Sequence, residues 1–222
     1  MKQSSKQTLL VLLLLIFGVP AFAMAGAPTD QIRQTTEKIL AIVDAPALKG
    51  PDKEAERQKQ MRQVVDERFD WAAMARSALG KHWRELSEAQ RAEFTGLFSE
   101  LIEKNYMSKV ESYSGEKILY KGDKVDGTFG VVEVVIVTLR GTDIPVSYRV
   151  LKKDTSWLVY DVSIEGVSLV NNYRSQIGTI LNSSSYDTLI VRIKSKIAAG
   201  PAESAGKKAQ PAAEQKKGES AL

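Results

Sequence analysis

Cysteine is absent from this 222-residue chain, and histidine occurs once, at His82. Without thiols there is no disulfide, no thiolate metal site, no cysteine nucleophile and no lipid-modified N-terminal Cys. One imidazole supplies neither a His pair for a metal nor a two-histidine proton relay. A Ser-His-Asp triad could be built only through His82. A long hydrophobic run is also lacking. The longest, Leu9 to Phe17, has nine residues, whereas a helical span of a bilayer takes ~20.

A strong charge bias is missing too, once the ends are set aside. The 31 Lys and Arg against 27 Asp and Glu give +4. Residues 1–25 have the layout of a secretory signal, with Lys2 and Lys6, the apolar run, Pro20, and small residues in Ala21-Phe22-Ala23 and Ala23-Met24-Ala25. Cleavage is expected after Ala25, with Ala23 as the alternative. Residues 199–222 contain no aromatic or β-branched residue. Such a segment buries too little apolar surface to offset its ordering entropy, and it is expected to be a disordered Ala/Lys-rich tail. Taking away Lys2, Lys6 and the tail's four Lys and three Glu leaves 25 basic against 24 acidic residues, a net of +1. That is not the clustered cation excess of a nucleic-acid binder. Residues 26–198 remain as one domain, exported and free of membrane-spanning segments.

Within it, residues 29–113 read as helices. Thr29 precedes an apolar stripe of Ile32, Ile39, Leu40 and Val43, and Pro46 and Pro51 interrupt the pattern. A heavily charged helix follows to Asp66, with Met61, Val64 and Val65 as a modest apolar face. A short helix spans Trp71 to Leu79. Ser87 and Gln90 form a capping box for the longest helix, whose stripe runs from Phe94, Leu97, Phe98, Leu101 and Ile102 to Tyr106, Val110 and Tyr113. From Glu116 the period becomes two. Strands are expected near 117–122, 130–140, 144–152 and 157–165, with turns at Gly122-Asp123, Asp126-Gly127, Gly141-Thr142-Asp143 and Lys153-Asp154-Thr155. Residues 131–137 are apolar on both faces except Glu133, so that strand should be covered on both sides. Two further helices follow Gly166. The fold class is α+β: a twisted antiparallel sheet meander packed against N-terminal and C-terminal helices, enclosing an apolar pocket.

An odd-length turn at Thr155 would set Tyr148 opposite Val162, Val146 opposite Ile164 and Val150 opposite Tyr160. The other face then pairs Arg149 with Asp161, an expected structural ion pair.

Catalytic motifs are scarce: there is no phosphate loop, nucleophile elbow or zinc-protease pattern. Asp161 and Glu165 share a strand face at a spacing compatible with acid–base work, but ion-paired scaffold is the commoner use of such residues. His82 reads as a surface or capping histidine. A wide helical stripe facing an apolar sheet is compatible with a packed core or with a cavity for an apolar ligand, and periodicity does not separate the two.

Longer strings do. Asp66 to Phe94 (DERFDWAAMARSALGKHWRELSEAQRAEF), Trp157 to Gln176 (WLVYDVSIEGVSLVNNYRSQ) and SSYDTLIVRIKSK near the end resemble the MlaC family, also called the toluene-tolerance family, of periplasmic phospholipid carriers. The likeness runs from about Ile32 to Lys196; the Ala/Lys-rich tail departs from it. The resemblance implies a deep apolar pocket for acyl tails, with the headgroup near solvent. It also implies no catalysis, no cofactor beyond the phospholipid cargo, and a soluble, monomeric periplasmic shuttle. Its partners would be an outer-membrane lipoprotein complex and an inner-membrane ABC transporter with its substrate-binding subunit, and its role would be to maintain outer-membrane lipid asymmetry.

The side chains expected to point between helices and sheet, and so to line the pocket, are Met74, Leu79, Phe94, Phe98, Leu101 and Tyr106 from the helices. From the sheet and the turn after it come Val134, Ile136, Val146, Tyr148, Val162, Ile164, Val167 and Leu169. The helix N-terminus after Gly166, with Arg174 nearby, could receive a headgroup or could simply be capped by Ser168. Two competing classes are a small-molecule enzyme on a similar cone-shaped α+β scaffold, using Asp161 with His82 or Tyr148, and an adaptor that binds no ligand.

Overall fold

The change of period near Glu116 is also the boundary between two kinds of packing. A computed structural model describes residues 27–200; the expected signal segment and nearly all of the expected tail lie outside the described residues. Four helices come first: α1 (Ala27–Asp44), α2 (Glu54–Asp66), α3 (Trp71–Leu79) and α4 (Glu88–Glu111). The strands β1 (Lys117–Asp126), β2 (Phe129–Val137), β3 (Asp143–Lys153), β4 (Ser156–Ile164) and β5 (Val167–Ser168) follow in one antiparallel sheet of order 1-2-3-4-5. Helices α5 (Leu169–Ser183) and α6 (Tyr186–Ala199) complete the chain as described.

The helix starts are set by side-chain caps. Asp70 accepts from the Ala73 N–H at the head of α3, Ser87 and Gln90 form the full capping box of α4, and Ser185 caps α6. Each satisfies an otherwise orphaned N–H, a contribution of about 1 kcal/mol.

Two bulges correct the expected sheet. Gly122-Asp123 is not a turn: β1 runs on to Asp126, with Lys121 as the extra residue opposite β2 and Gly122 at φ 109°, which glycine adopts without a Cβ clash. The hairpin turn is Gly127-Thr128. In the last hairpin Tyr148 does face Val162, Val146 faces Ile164 and Arg149 faces Asp161, but Val150 faces Val159 rather than Tyr160. The turn there has two residues, Asp154 and Thr155, and the odd residue sits at Tyr160 instead. That bulge lets Val159 and Val162 both bury on the inner face, while Tyr160 packs toward the helices and meets Phe129 edge-on.

Two cores result. On the inner face of the sheet Val132, Val134, Val146, Val150, Trp157 and Val159 are buried beneath Ile32 of α1. The helical core holds Met74, Ala78 and Leu79 of α3, Phe94, Phe98 and Leu101 of α4, Ile177 of α5 and Leu189 of α6. Phe94 and Phe98 stack at 5.6 Å and Tyr173 meets Phe98 edge-on at 5.4 Å. The expectation that β2 is covered on both sides is not met. On the outer face Val131, Val135 and Val137 are only half-buried, and Phe129 and Glu133 are exposed.

Candidate functional site: an apolar cavity between two cores

Helix α4 is longer than the helical core it serves. Its first half packs against α3, α5 and α6; its second half keeps one bond to α5, from Asn105 to the Tyr173 hydroxyl at 2.8 Å, and packs Tyr106 against both cores. There Ile102, Tyr106, Met107 and Val110 form one wall of a cavity of about 230 Å³. Helix α1 contributes Ile32, Thr35, Thr36 and Ile39, and α2 contributes Met61, Arg62 and Val65. Phe69 and Trp71 close one side, and Tyr148, Val162, Ile164 and Leu169 form the floor.

Charged side chains enter the lining only from the helical side, as Arg62, Arg68 and Glu103. Arg62 pairs with Glu103 of α4, with Asp66 on its own helix at 2.8 Å, and donates to Ser99 Oγ at 2.9 Å. Burial alone would lower its pKa, but the two carboxylates outweigh burial and hold the guanidinium above its ordinary range. Arg68 donates to Gln31 Oε1 (2.6 Å), Thr35 Oγ1 (3.0 Å) and the Trp157 carbonyl (2.9 Å), tying α1 to β4. Burial lowers the Arg68 pKa, opposed only by the Glu67 charge. On the floor, burial, aided by Tyr120, pushes the Tyr148 phenol up to about 12. Tyr148 keeps some accessible surface, but that surface faces the cavity it lines. Burial raises the Tyr106 phenol as well. Both phenols are therefore neutral at physiological pH.

Of the fourteen residues expected to line the pocket, Tyr106, Tyr148, Val162, Ile164 and Leu169 lie on the cavity wall. Met74, Leu79, Phe94, Phe98 and Leu101 sit in the helical core, while Val134, Val146 and Ile136 pack in the sheet core. Val167 is 46% exposed, because the short β5 pairs only at the sheet edge. Periodicity identifies which face of α4 is buried but not where along its length the burying partner changes. The contributions of α1 and α2 were missed. Their signal was the Met61–Val65 pair, four residues apart in an otherwise charged helix.

The Arg149–Asp161 ion pair is not formed. Asp161 is 3% exposed, and its carboxylate accepts from Ser168 Oγ (2.6 Å) and from the Val170 N–H (3.1 Å). Arg149 lies on the solvent side with its guanidinium 5.1 Å from the Tyr160 ring centre. Register does bring the two opposite each other, but the head of α5 engages the Asp161 carboxylate instead. The same carboxylate occupies the head of α5, alongside the Ser168 cap of the Asn171 N–H. A carboxylate of the chain itself thus fills the helix N-terminus that could have received a headgroup. Arg174 packs over Gly80, where a Cβ would stand 2.9 Å from its Nε.

A proton-transfer centre does not assemble from the expected groups. Asp161 is engaged in capping, Glu165 is exposed in the turn at φ 51°, and His82 Nδ1 contacts Glu85 at 3.1 Å. Among the described residues no group of three or more His, Cys, Asp or Glu could hold a metal ion. No helix among them is long and apolar enough to cross a membrane.

Residues 33–195 match the family described as MlaC protein. A protein of Haemophilus influenzae named intermembrane phospholipid transport system binding protein MlaC is 32% identical over 121 residues. That alignment covers 52% of this chain and 56% of the relative, so the chain spans little more than half the length of the curated protein it matches. A solved structure of a phospholipid-binding protein from Ralstonia solanacearum, in complex with a phospholipid, has a TM-score of 0.68 and 21% identity. It covers 78% of this chain and 97% of that one, a likeness of fold.

Proposed function

The chain belongs to the MlaC family, and from that premise we propose that it is a phospholipid carrier which encloses acyl chains in the cavity between its two cores. The observation that carries the reading is the cavity itself: a mainly apolar space floored by sheet residues and walled by α1, α2 and α4, with its charged lining residues Arg62, Arg68 and Glu103 all on the helical side. Exposing an acyl chain to water costs about 0.8 kcal/mol per methylene. Two tails of ~15 methylenes each would therefore cost ~24 kcal/mol in transit, which only an enclosing site relieves. The relative's name and the lipid held by the Ralstonia protein support the same ligand class. Tyr106, Tyr148, Val162, Ile164 and Leu169 are the residues proposed to touch the acyl chains.

The carrier works in the periplasm as a monomer, exported by residues 1–25, without a cofactor and without catalysis. It takes lipid between an outer-membrane lipoprotein complex and an inner-membrane ABC transporter with its substrate-binding subunit, and so sustains outer-membrane lipid asymmetry. A bilayer relieves the same hydrophobic cost as the cavity, so net transfer is close to balanced, and direction comes from the docking complexes or from ATP use.

Solvent extraction of the purified protein followed by lipid mass spectrometry tests this. Phospholipid in stoichiometric amount is expected. A lipid-free protein that takes up none from vesicles would refute the carrier and leave an adaptor, and small-molecule turnover lost on Asp161→Asn would point to an enzyme.

A further inference from the structure

Hydrocarbon tails leave part of the cavity wall unanswered. The hydrocarbon of an acyl chain accepts no hydrogen bond, yet the lining includes the charged side chains Arg62, Arg68 and Glu103. Two of these meet each other. Arg62 pairs with Glu103, and its Nε and Nη2 donate to Asp66 Oδ1 and Ser99 Oγ. Arg68 has no such partner. Its Nε donates to Thr35 Oγ1 and its Nη1 to Gln31 Oε1 and the Trp157 carbonyl, all neutral oxygens, and its Nη2 has no acceptor among the described residues. Glu67, the carboxylate whose charge reaches it, is largely exposed and pairs with Lys38 at 3.3 Å. A guanidinium keeps its proton at neutral pH, so this wall carries a positive charge that the chain does not compensate.

Two hydroxyls of the lining share this need for an acceptor. The Tyr106 and Tyr148 phenols make no hydrogen bond to a side chain or backbone group among the described residues, and Tyr148 is the more deeply buried. The neighbouring donors are satisfied: Thr35 and Thr36 donate to the Gln31 and Ile32 carbonyls, and Trp71 Nε1 donates to Asp66. A charge facing an apolar space is unfavourable unless an opposite charge or hydrogen bonds meet it. The complement of a guanidinium is a carboxylate or phosphate, which it holds by short, charge-assisted bonds. Such a head has to enter the cavity with its chain. At about 230 Å³ the space lies below the ~300–1,000 Å³ of ordinary small-ligand pockets, which favours one chain over two.

We infer that the cavity has a second class of ligand, single-chain lipids with an anionic head, and that Arg68 receives the oxyanion while the chain lies over the sheet floor. The shared chemistry is an oxyanion at the end of one acyl chain: a free fatty acid supplies it as a carboxylate, a lysophosphatidate as a phosphate monoester. The inference goes beyond the phospholipid reading and does not depend on it.

Titration calorimetry of the delipidated full-length protein tests it with laurate, dodecyl phosphate and 1-dodecanol, which share a chain and differ in the head. At least one of the two anions should bind about tenfold or more tighter than dodecanol, and the better of the two tells a carboxylate source from a phosphate source. A smaller preference, or no binding by any of the three, overturns the inference. Arg68→Gln should bring the preference down to about threefold or less; a folded variant that keeps it removes Arg68 from the site. Because Arg68 also ties α1 to β4, a second measurement uses the unaltered protein. An apolar site raises a carboxyl pKa, whereas a cation beside it lowers it. The ¹³C signal of bound [1-¹³C]laurate should therefore still be that of the ionised form at about pH 5, and a protonated bound carboxyl at that pH overturns the inference. Lipid extraction decides the carrier separately: a protein that yields no phospholipid but prefers the anionic ligands loses that reading and keeps this one.

Discussion

Replacing Asp161 by alanine should destabilise the fold without touching the cavity. Its carboxylate is almost fully buried and accepts two hydrogen bonds, from Ser168 Oγ and from the Val170 N–H, at the head of α5. Hydrogen bonds to a charged acceptor contribute about 1.5–3 kcal/mol each, but removing the carboxylate also relieves the cost of burying it, so the net loss is about 2–3 kcal/mol. For a domain of this size that lowers Tm by about 5–10 °C. Arg149→Ala should cost only about 0.5 kcal/mol, the worth of an exposed cation–π contact with Tyr160. Urea denaturation of the single and double variants gives two cycles that decide the matter. Coupling between positions 161 and 168 should exceed about 1 kcal/mol, and coupling between 161 and 149 should stay within about 0.5 kcal/mol. The reverse ordering would restore the cross-strand ion pair and refute the capping role.

Two substitutions separate wall from core in the sheet. Val162→Trp points into the cavity and should abolish phospholipid recovery from a folded protein, whereas Val146→Trp overpacks the core and should cost about 1–3 kcal/mol in urea denaturation; full lipid content in the first variant would remove Val162 from the site. Tyr148 should make stability fall at alkaline pH. Its phenol titrates near 10 unfolded and is pushed up to about 12 when folded, so the stabilisation is complete below pH 10 and is lost as pH rises through 12, by up to about 2.7 kcal/mol. Tyr148→Phe should flatten that part of the denaturation profile between pH 9 and 12, and an unchanged slope would show that the phenol already meets water.

The helices were the most legible part of the chain because their ends are chemical. Trp71 to Leu79 and the Ser87–Gln90 box are read from caps and stops that act within four residues. Strand pairing was half legible. The apolar pairs Tyr148–Val162 and Val146–Ile164 follow from alternation, but alternation assumes one residue per step, and each of two bulges, at Lys121 and at Tyr160, breaks that assumption. A bulge is stabilised by what the displaced residue reaches in three dimensions, here the helical cluster that receives Tyr160, so no local pattern announces it. The Asp161 error has another origin. Register correctly placed it across from Arg149, but Ser168 and the Val170 N–H at the head of α5 take its carboxylate, and strand alternation does not show what a following helix brings to the sheet edge. The cavity wall was least legible, because Phe98 and Tyr106 share one stripe of one helix and differ only in which neighbour stands opposite them.

That change of neighbour along α4 also bears on the carrier reading proposed above. The half of α4 that carries Phe94 and Phe98, the largest fully buried side chains, is separate from the half that lines the cavity with Ile102, Tyr106, Met107 and Val110. Segments with fewer buried apolar contacts open at lower free energy than the core. On that reading, lipid exchange then disturbs the cavity-facing half of the helix and leaves the packing around Phe94 and Phe98 in place.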